Sequence, residues 1–110
     1  MSMQRCCPEG PVYERDLTDE ALLFKALADP ARVVILATLA RTDHEVCVCD
    51  FTAGLDLNQS TVSHHLKLLK DAGLVTSVRR GTWGYYSLAP DAHARLAAAL
   101  RTVFPAKVLA

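Results

Sequence analysis

The stretch "LNQSTVSHHLKLLKDAGLVTSVRRGTWGYYSL", Leu57 to Leu88, decides the fold. Asn58 is a helix N-cap, because its short side chain can accept from the free N–H groups of the first turn. Behind it Val62, Leu66 and Leu69 stand at i, i+4 and i+7, one face of a helix. Gly73 ends that helix as a left-handed cap. Alternation follows: Val75, Ser77 and Arg79 interleave with Thr76, Val78 and Arg80. Gly81 to Gly84 turns the chain, and Tyr85, Tyr86, Ser87 and Leu88 return, which predicts a β-hairpin.

Upstream, "RTDHEVCVCDFTAGLD" predicts a connection holding a short helix from Cys47 to Ala53, ended by Gly54. Before it, Asp29 caps a helix with Pro30 at its first position, running through "ARVVILATLA" with apolar residues nearly all round. That helix should be central. The first helix lies in "LTDEALLFKALAD", with Thr18 as N-cap, Asp19 and Glu20 at its positive end, and Leu22, Leu23, Ala26 and Leu27 as its stripe. Downstream, Asp91 to Phe104 predicts an alanine-rich helix with Leu96, Leu100 and Val103 on one side, stopped by Pro105. The predicted order is α-α-α-α-β-β-α. Residues 1–16 read as a polar arm, 17–105 as the folded domain and 106–110 as a tail.

The chain of 110 residues suits one domain, and 51% apolar residues supply a core. The start "MSMQRCCPEG" has no apolar run of the signal-peptide kind, and "VVILATLA" is too short to span a bilayer, so no membrane partner and a cytoplasmic location are expected. Net charge is zero, yet unevenly made. Residues 1–57 carry five Lys/Arg against ten Asp/Glu, and residues 58–110 carry seven against two. The basic half is the part suited to phosphates.

A short helix, a turn through "GLDLNQS" and a second helix opening on small polar residues form a helix-turn-helix. Such a helix enters the major groove when its leading residues are short and able to hydrogen-bond. Gln59, Ser60, Thr61, Ser63 and His64 meet that condition, and Gln59 suits adenine. Lys67, Lys70, Arg79 and Arg80 suit phosphates or the minor groove, and the hairpin reads as a wing. Singly, these polar residues are equally well read as caps and solvated surface, and His64 and His65 as metal ligands or as surface residues with one of them partly buried. Double-stranded DNA as partner rests on their combination. Four cysteines, Cys6, Cys7, Cys47 and Cys49, remain as buried filler, disulfide partners or soft-ion ligands; a reducing cytosol favours ligands or redox thiols over disulfides.

The runs "FKALADPARVVILATLA", "EVCVCDF" and "LNQSTVSHHLKLLKDAGLVTSVRRGTWGYYSL" resemble the ArsR/SmtB family of metal-responsive repressors, over roughly Leu22 to Leu88. The resemblance implies a homodimeric winged helix joined through the first and last helices. It implies a repressor bound to a two-fold repeated operator and released by its inducer. Cys47 and Cys49 match the family's "CVC" inducer site, with As(III) or Sb(III) as inducer and a third thiolate from Cys6 or Cys7, plausibly across the dimer. Cd(II), Pb(II) or Zn(II) on the same cysteines is the alternative, and a thiol redox sensor a further one. Residues i and i+2 of an intact α-helix point about 200° apart, so two thiolates at Cys47 and Cys49 reach one ion only if the first turn is unwound or the segment starts extended, and ion binding is expected to deform the short helix. A second family site on the last helix is only half present, as Asp91 and His93, so no zinc or nickel site is expected there. The spacing C-x-C, not C-x-x-C, and the lack of any catalytic constellation predict that the chain is not an enzyme.

Overall fold

The computed structural model describes residues 11–106. Its elements run α1 (Thr18–Leu27), α2 (Pro30–Ala40), β1 (Val46–Cys47), α3 (Val48–Leu55), α4 (Gln59–Asp71), β2 (Val75–Arg80), β3 (Trp83–Leu88) and α5 (Ala92–Val103). The expected order holds with one addition, the two-residue strand β1. It pairs with β3 and makes a three-stranded antiparallel sheet of order β1-β3-β2.

Local chemistry sets most element ends. Asp29 accepts from the Ala31 N–H at 2.8 Å and Pro30 occupies the first turn of α2. Asn58 accepts from the Thr61 N–H at 2.9 Å and starts α4. At the other end of α4 the Leu74 N–H reaches Leu69 O at 3.0 Å and the Gly73 N–H reaches Lys70 O at 2.9 Å. Those two bonds are a Schellman closure, and Gly73 supplies its left-handed residue at φ 79°.

Three expected boundaries shift. Thr18 is not a cap but the first residue of α1; its N–H and hydroxyl both donate to Asp16 Oδ1, at 2.9 and 2.5 Å. Gly54 does not end α3, which runs to Leu55 and closes on Asp56 in the left-handed region at φ 54°. A short polar side chain tolerates that conformation. The hairpin turn is Gly81-Thr82 alone, since Arg80 pairs with Trp83 and Arg79 with Gly84. Gly81 has φ 63° and Thr82 has no positive φ, the pattern of a II′ turn, whose twist matches that of the strands.

Ile35, Val62, Leu66, Leu69 and Leu74 are fully buried and form the centre, with Leu39, Val46, Phe51 and Val75 around them. Each such side chain contributes about 1.5–3 kcal/mol of burial. The α4 stripe of Val62, Leu66 and Leu69 therefore fixes which face of that helix meets solvent. The helix α2 is central along one stripe only: Ile35 and Leu39 are buried, whereas Val33 and Val34 are each 47% exposed. Of the stripe expected on α5, Leu96 packs against the core and Val103 is half-buried, but Leu100 is not covered. Ala92 and Ala99 are the buried residues of α5, and Leu100 is 51% exposed. Leu22 of α1 and Phe104 just past α5 are exposed as well, and α1 packs against α5. No helix among the described residues is long and apolar enough to cross a membrane.

Candidate nucleic-acid interface and metal centre

The inward stripe of α4 leaves Gln59, Ser60, Ser63, His64 and Lys67 exposed, with Thr61 half-buried. The candidate base-reading residues thus share the solvent side of one helix. Two of them already have partners: the Ser60 hydroxyl donates to Asn58 Oδ1 at 2.9 Å, and Lys67 Nζ pairs with Asp71 at 2.7 Å. The Lys67 pair is exposed on both sides, so it is weak and open to exchange.

The two adjacent histidines separate in role. His64 is exposed, whereas His65 is half-buried, with Nδ1 3.0 Å from Arg32 Nη1 and Nε2 3.9 Å from Asp29 Oδ1. Arg32 also donates through Nε to Ala26 O at 2.8 Å. One α2 arginine therefore joins the end of α1 to the middle of α4. Arg95 of α5 does the same for the far end of α4, with Nη1 donating to Ala72 O and Gly73 O at 3.0 Å each. A guanidinium there answers the negative end of the helix dipole. Both arginines position the reading helix; neither lies in a motif that singles it out in the sequence.

The hairpin register sends Arg79 and Arg80 to opposite faces, because successive strand residues alternate. Arg79 is exposed and bonded weakly, through Nη1 to Thr82 O at 3.4 Å. Arg80 is engaged: Nη1 lies 2.5 Å from Glu45 Oε1, and its Cζ sits 5.2 Å from the centre of the Tyr85 ring.

The cysteines stand where β1 becomes α3. Cys47 has an extended backbone (φ −74°, ψ 147°) and is the N-cap of α3. Its Sγ accepts from the Cys49 N–H at 3.4 Å and lies 2.8 Å from Cys49 Sγ. The opposed geometry expected for i and i+2 of an intact helix does not arise, because Cys47 is strand and only Cys49 is helix. The segment starts extended, so no unwinding is needed to bring the thiols together. A tetrahedral ion bound at about 2.3 Å from each sulfur spans two sulfurs about 3.8 Å apart, close to ordinary sulfur–sulfur contact, so two neighbouring thiols suit it. Cys47 is buried and Cys49 exposed, giving the pair a single open side.

The Cys49 thiol is made less acidic than usual, its pKa raised first by its hydrogen bond to Cys47, then by burial and by the neighbouring charges of Cys47 and Asp50. A redox-sensing thiol needs the reverse, a lowered pKa beside cations. Two thiols do not complete an ion site. Among the described residues no group of three His, Cys, Asp or Glu could hold a metal ion. Cys6 and Cys7 lie outside the described residues. On α5, Asp91 and His93 are both exposed.

Residues 29–77 match the family model described as bacterial regulatory protein, arsR family. The chain is 38% identical, over 79% of its length, to the arsenic resistance transcriptional regulator ArsR1 of Pseudomonas putida, and spans 66% of that protein. It is 42% identical, over 70% of its length, to a cadmium resistance transcriptional regulatory protein CadC homolog of Staphylococcus aureus, and spans 62% of it. Among solved structures it resembles the homodimeric winged helix-turn-helix DNA-binding domain of a possible ArsR-family regulator from Mycobacterium bovis. That similarity has 38% identity and TM-score 0.63, and covers 79% of each chain.

Proposed function

The chain belongs to the arsR family of bacterial regulatory proteins, and from that premise we propose that it is a homodimeric transcriptional repressor, released from operator DNA when As(III) or Sb(III) is bound by cysteine thiolates. The fold and its relatives are those of DNA-binding regulators, not enzymes. The observation that carries the inducer site is the adjacency of the Cys47 and Cys49 thiols at the β1–α3 junction. That junction touches both DNA-reading elements at once. Strand β1 pairs with wing strand β3, Cys47 facing Tyr85, and α3 packs against α4. An ion held by both sulfurs therefore acts on groups one step from the wing and from the reading helix, which is the two-site coupling that release requires.

In this reading α4 enters the major groove, with Gln59, Ser60, Thr61, Ser63 and His64 toward the bases. Lys67, Arg79 and Arg80 meet phosphates. The exposed Leu22, Leu100 and Phe104 support a dimer formed through α1 and α5. Cys6 and Cys7 supply the remaining sulfur ligands, one being enough for the three-thiolate pyramid of As(III). Four thiols together would equally suit Cd(II), Pb(II) or Zn(II), a second reading favoured by the likeness to the cadmium-resistance regulator.

Fluorescence anisotropy on labelled upstream DNA tests the proposal, with the reduced protein titrated separately by arsenite, Cd(II), Pb(II) and Zn(II). Stoichiometric release by arsenite, lost in Cys47→Ser and Cys49→Ser while DNA binding persists, is the expected result. Release by Cd(II) or Pb(II) with indifference to arsenite replaces the first reading by the second. Unaltered release in both serine variants removes these cysteines from the site.

A further inference from the structure

Arg80 is a cation on a wing, and wing cations meet phosphates in the function proposed above. Yet in the DNA-free protein its guanidinium is already engaged. One side meets the Glu45 carboxylate at 2.5 Å, and the Tyr85 ring lies 5.2 Å from Cζ. Arg79, on the other face of the hairpin, has no such restraint and donates only to its own turn. The partner's position matters as much as its charge. Glu45 immediately precedes β1, two residues before Cys47, and Tyr85 is the residue that Cys47 faces across the ladder. Wing cation, carboxylate and thiol strand thus form one connected group.

We propose that Glu45 acts as a resident substitute for a DNA phosphate, holding Arg80 in the free protein and tying the strength of that hold to the state of the Cys47–Cys49 site. A carboxylate and a phosphate oxygen offer a guanidinium the same charge-assisted hydrogen bond. DNA must therefore displace Glu45 before it gains Arg80. Glu45 is 28% exposed and Arg80 57%, so the pair is weak enough to open. An ion held by Cys47 acts two residues of backbone from Glu45. An occupied site that tightens Glu45 on Arg80 favours the DNA-free form. The inference rests on the proposed function in two places, in requiring Arg80 at the DNA and an ion at Cys47 and Cys49.

The test is a cycle of Glu45→Gln and Arg80→Ala in the full-length reduced protein, read as operator Kd by anisotropy, with thermal melts alongside. Arg80→Ala weakens binding if Arg80 meets DNA; an unchanged Kd overturns both that assignment and the present inference. Glu45→Gln is expected to tighten binding by about two- to fivefold, the range of a half-exposed ion pair, and to have no effect when Arg80 is already alanine. Equal tightening in both backgrounds would mean only that a negative charge near DNA has been removed, and overturns the proposal. Weaker binding with a lowered melting temperature would make the pair structural and does the same. In the ion arm, arsenite or Cd(II) releases Glu45→Gln less than the wild type at equal ion stoichiometry. An unchanged release ratio refutes the tie to the thiols. A wild type indifferent to every ion refutes the proposed inducer instead, leaving the affinity cycle to judge Glu45.

Discussion

Gly73→Ala is the substitution whose outcome follows most directly from the geometry. Gly73 holds φ 79° in the closure of α4. An alanine in that region costs about 1–2 kcal/mol. The new Cβ would also collide with the Arg95 guanidinium, at Nη1 first. That nitrogen makes both guanidinium bonds to Ala72 O and Gly73 O, so the side chain must swing away and surrender them. Water replaces part of what is lost at this half-buried site, leaving a net loss of about 1–2 kcal/mol. The total is about 2–4 kcal/mol, a fall in melting temperature on the order of 15 °C for a domain of this size. Urea or thermal unfolding by circular dichroism measures it, at fixed protomer concentration because a dimer's stability depends on concentration. The decisive comparison is the same substitution in Arg95→Ala protein. There the obstruction is gone and only the backbone part, about 1–2 kcal/mol, remains. An identical loss in both backgrounds would refute the role given to Arg95.

Three further outcomes are expected. Leu66→Ala, at a fully buried position, lowers stability by about 2–5 kcal/mol in urea titration; a loss below about 1 kcal/mol would contradict its place in the core. Leu100→Glu puts a charge on the exposed α1–α5 face and converts the dimer to monomer in sedimentation, with operator affinity falling alongside; a variant that stays dimeric places the interface elsewhere. Asp29 has its carboxyl held below its ordinary 3.8 chiefly by the Ala31 N–H, against a smaller effect of burial, with help from His65 and Arg32. Its stabilising contribution is therefore present above that ordinary value and lost as pH falls through the lowered one. Asp29→Asn should flatten the acid limb of a stability-against-pH curve in that window and leave the slope between pH 6 and 8 alone, as paired melts would reveal.

The parts of the fold legible in the sequence are those fixed by neighbours along the chain. Asn58, the Val62–Leu66–Leu69 stripe and Gly73 define α4 without help from elsewhere, and Asp29-Pro30 does the same for α2. What escaped was set at long range. Strand β1 exists because Val46 and Cys47 pair with Tyr86 and Tyr85, some forty residues away, and two residues carry no periodicity of their own. That pairing turned an awkward helical C-x-C into two adjacent thiols. Asp56, not Gly54, closes α3, since a polar residue at a helix end carries a weaker signal than glycine. Leu100 looks like core in the same periodicity as Leu96, yet only Leu96 packs against the core while Leu100 is exposed. Glu45, Arg32 and Arg95 had no motif at all; their meaning lies in carbonyls and cations brought close by the fold. The candidate DNA-reading residues were named from α4 and the hairpin, but the sequence held no sign that Arg79 and Arg80 differ in partners.

The II′ turn at Gly81-Thr82 has a practical consequence. By closing the hairpin in two residues it draws Trp83 into β3 opposite Arg80, where the indole is 47% exposed. It is the only tryptophan in the chain. The protein thus carries a native optical label on its wing, beside the arginine that Glu45 holds. Selective excitation at the red edge of protein absorption reads that one indole, and quenching by iodide or acrylamide reports whether the wing is bare or covered, with no dye attached.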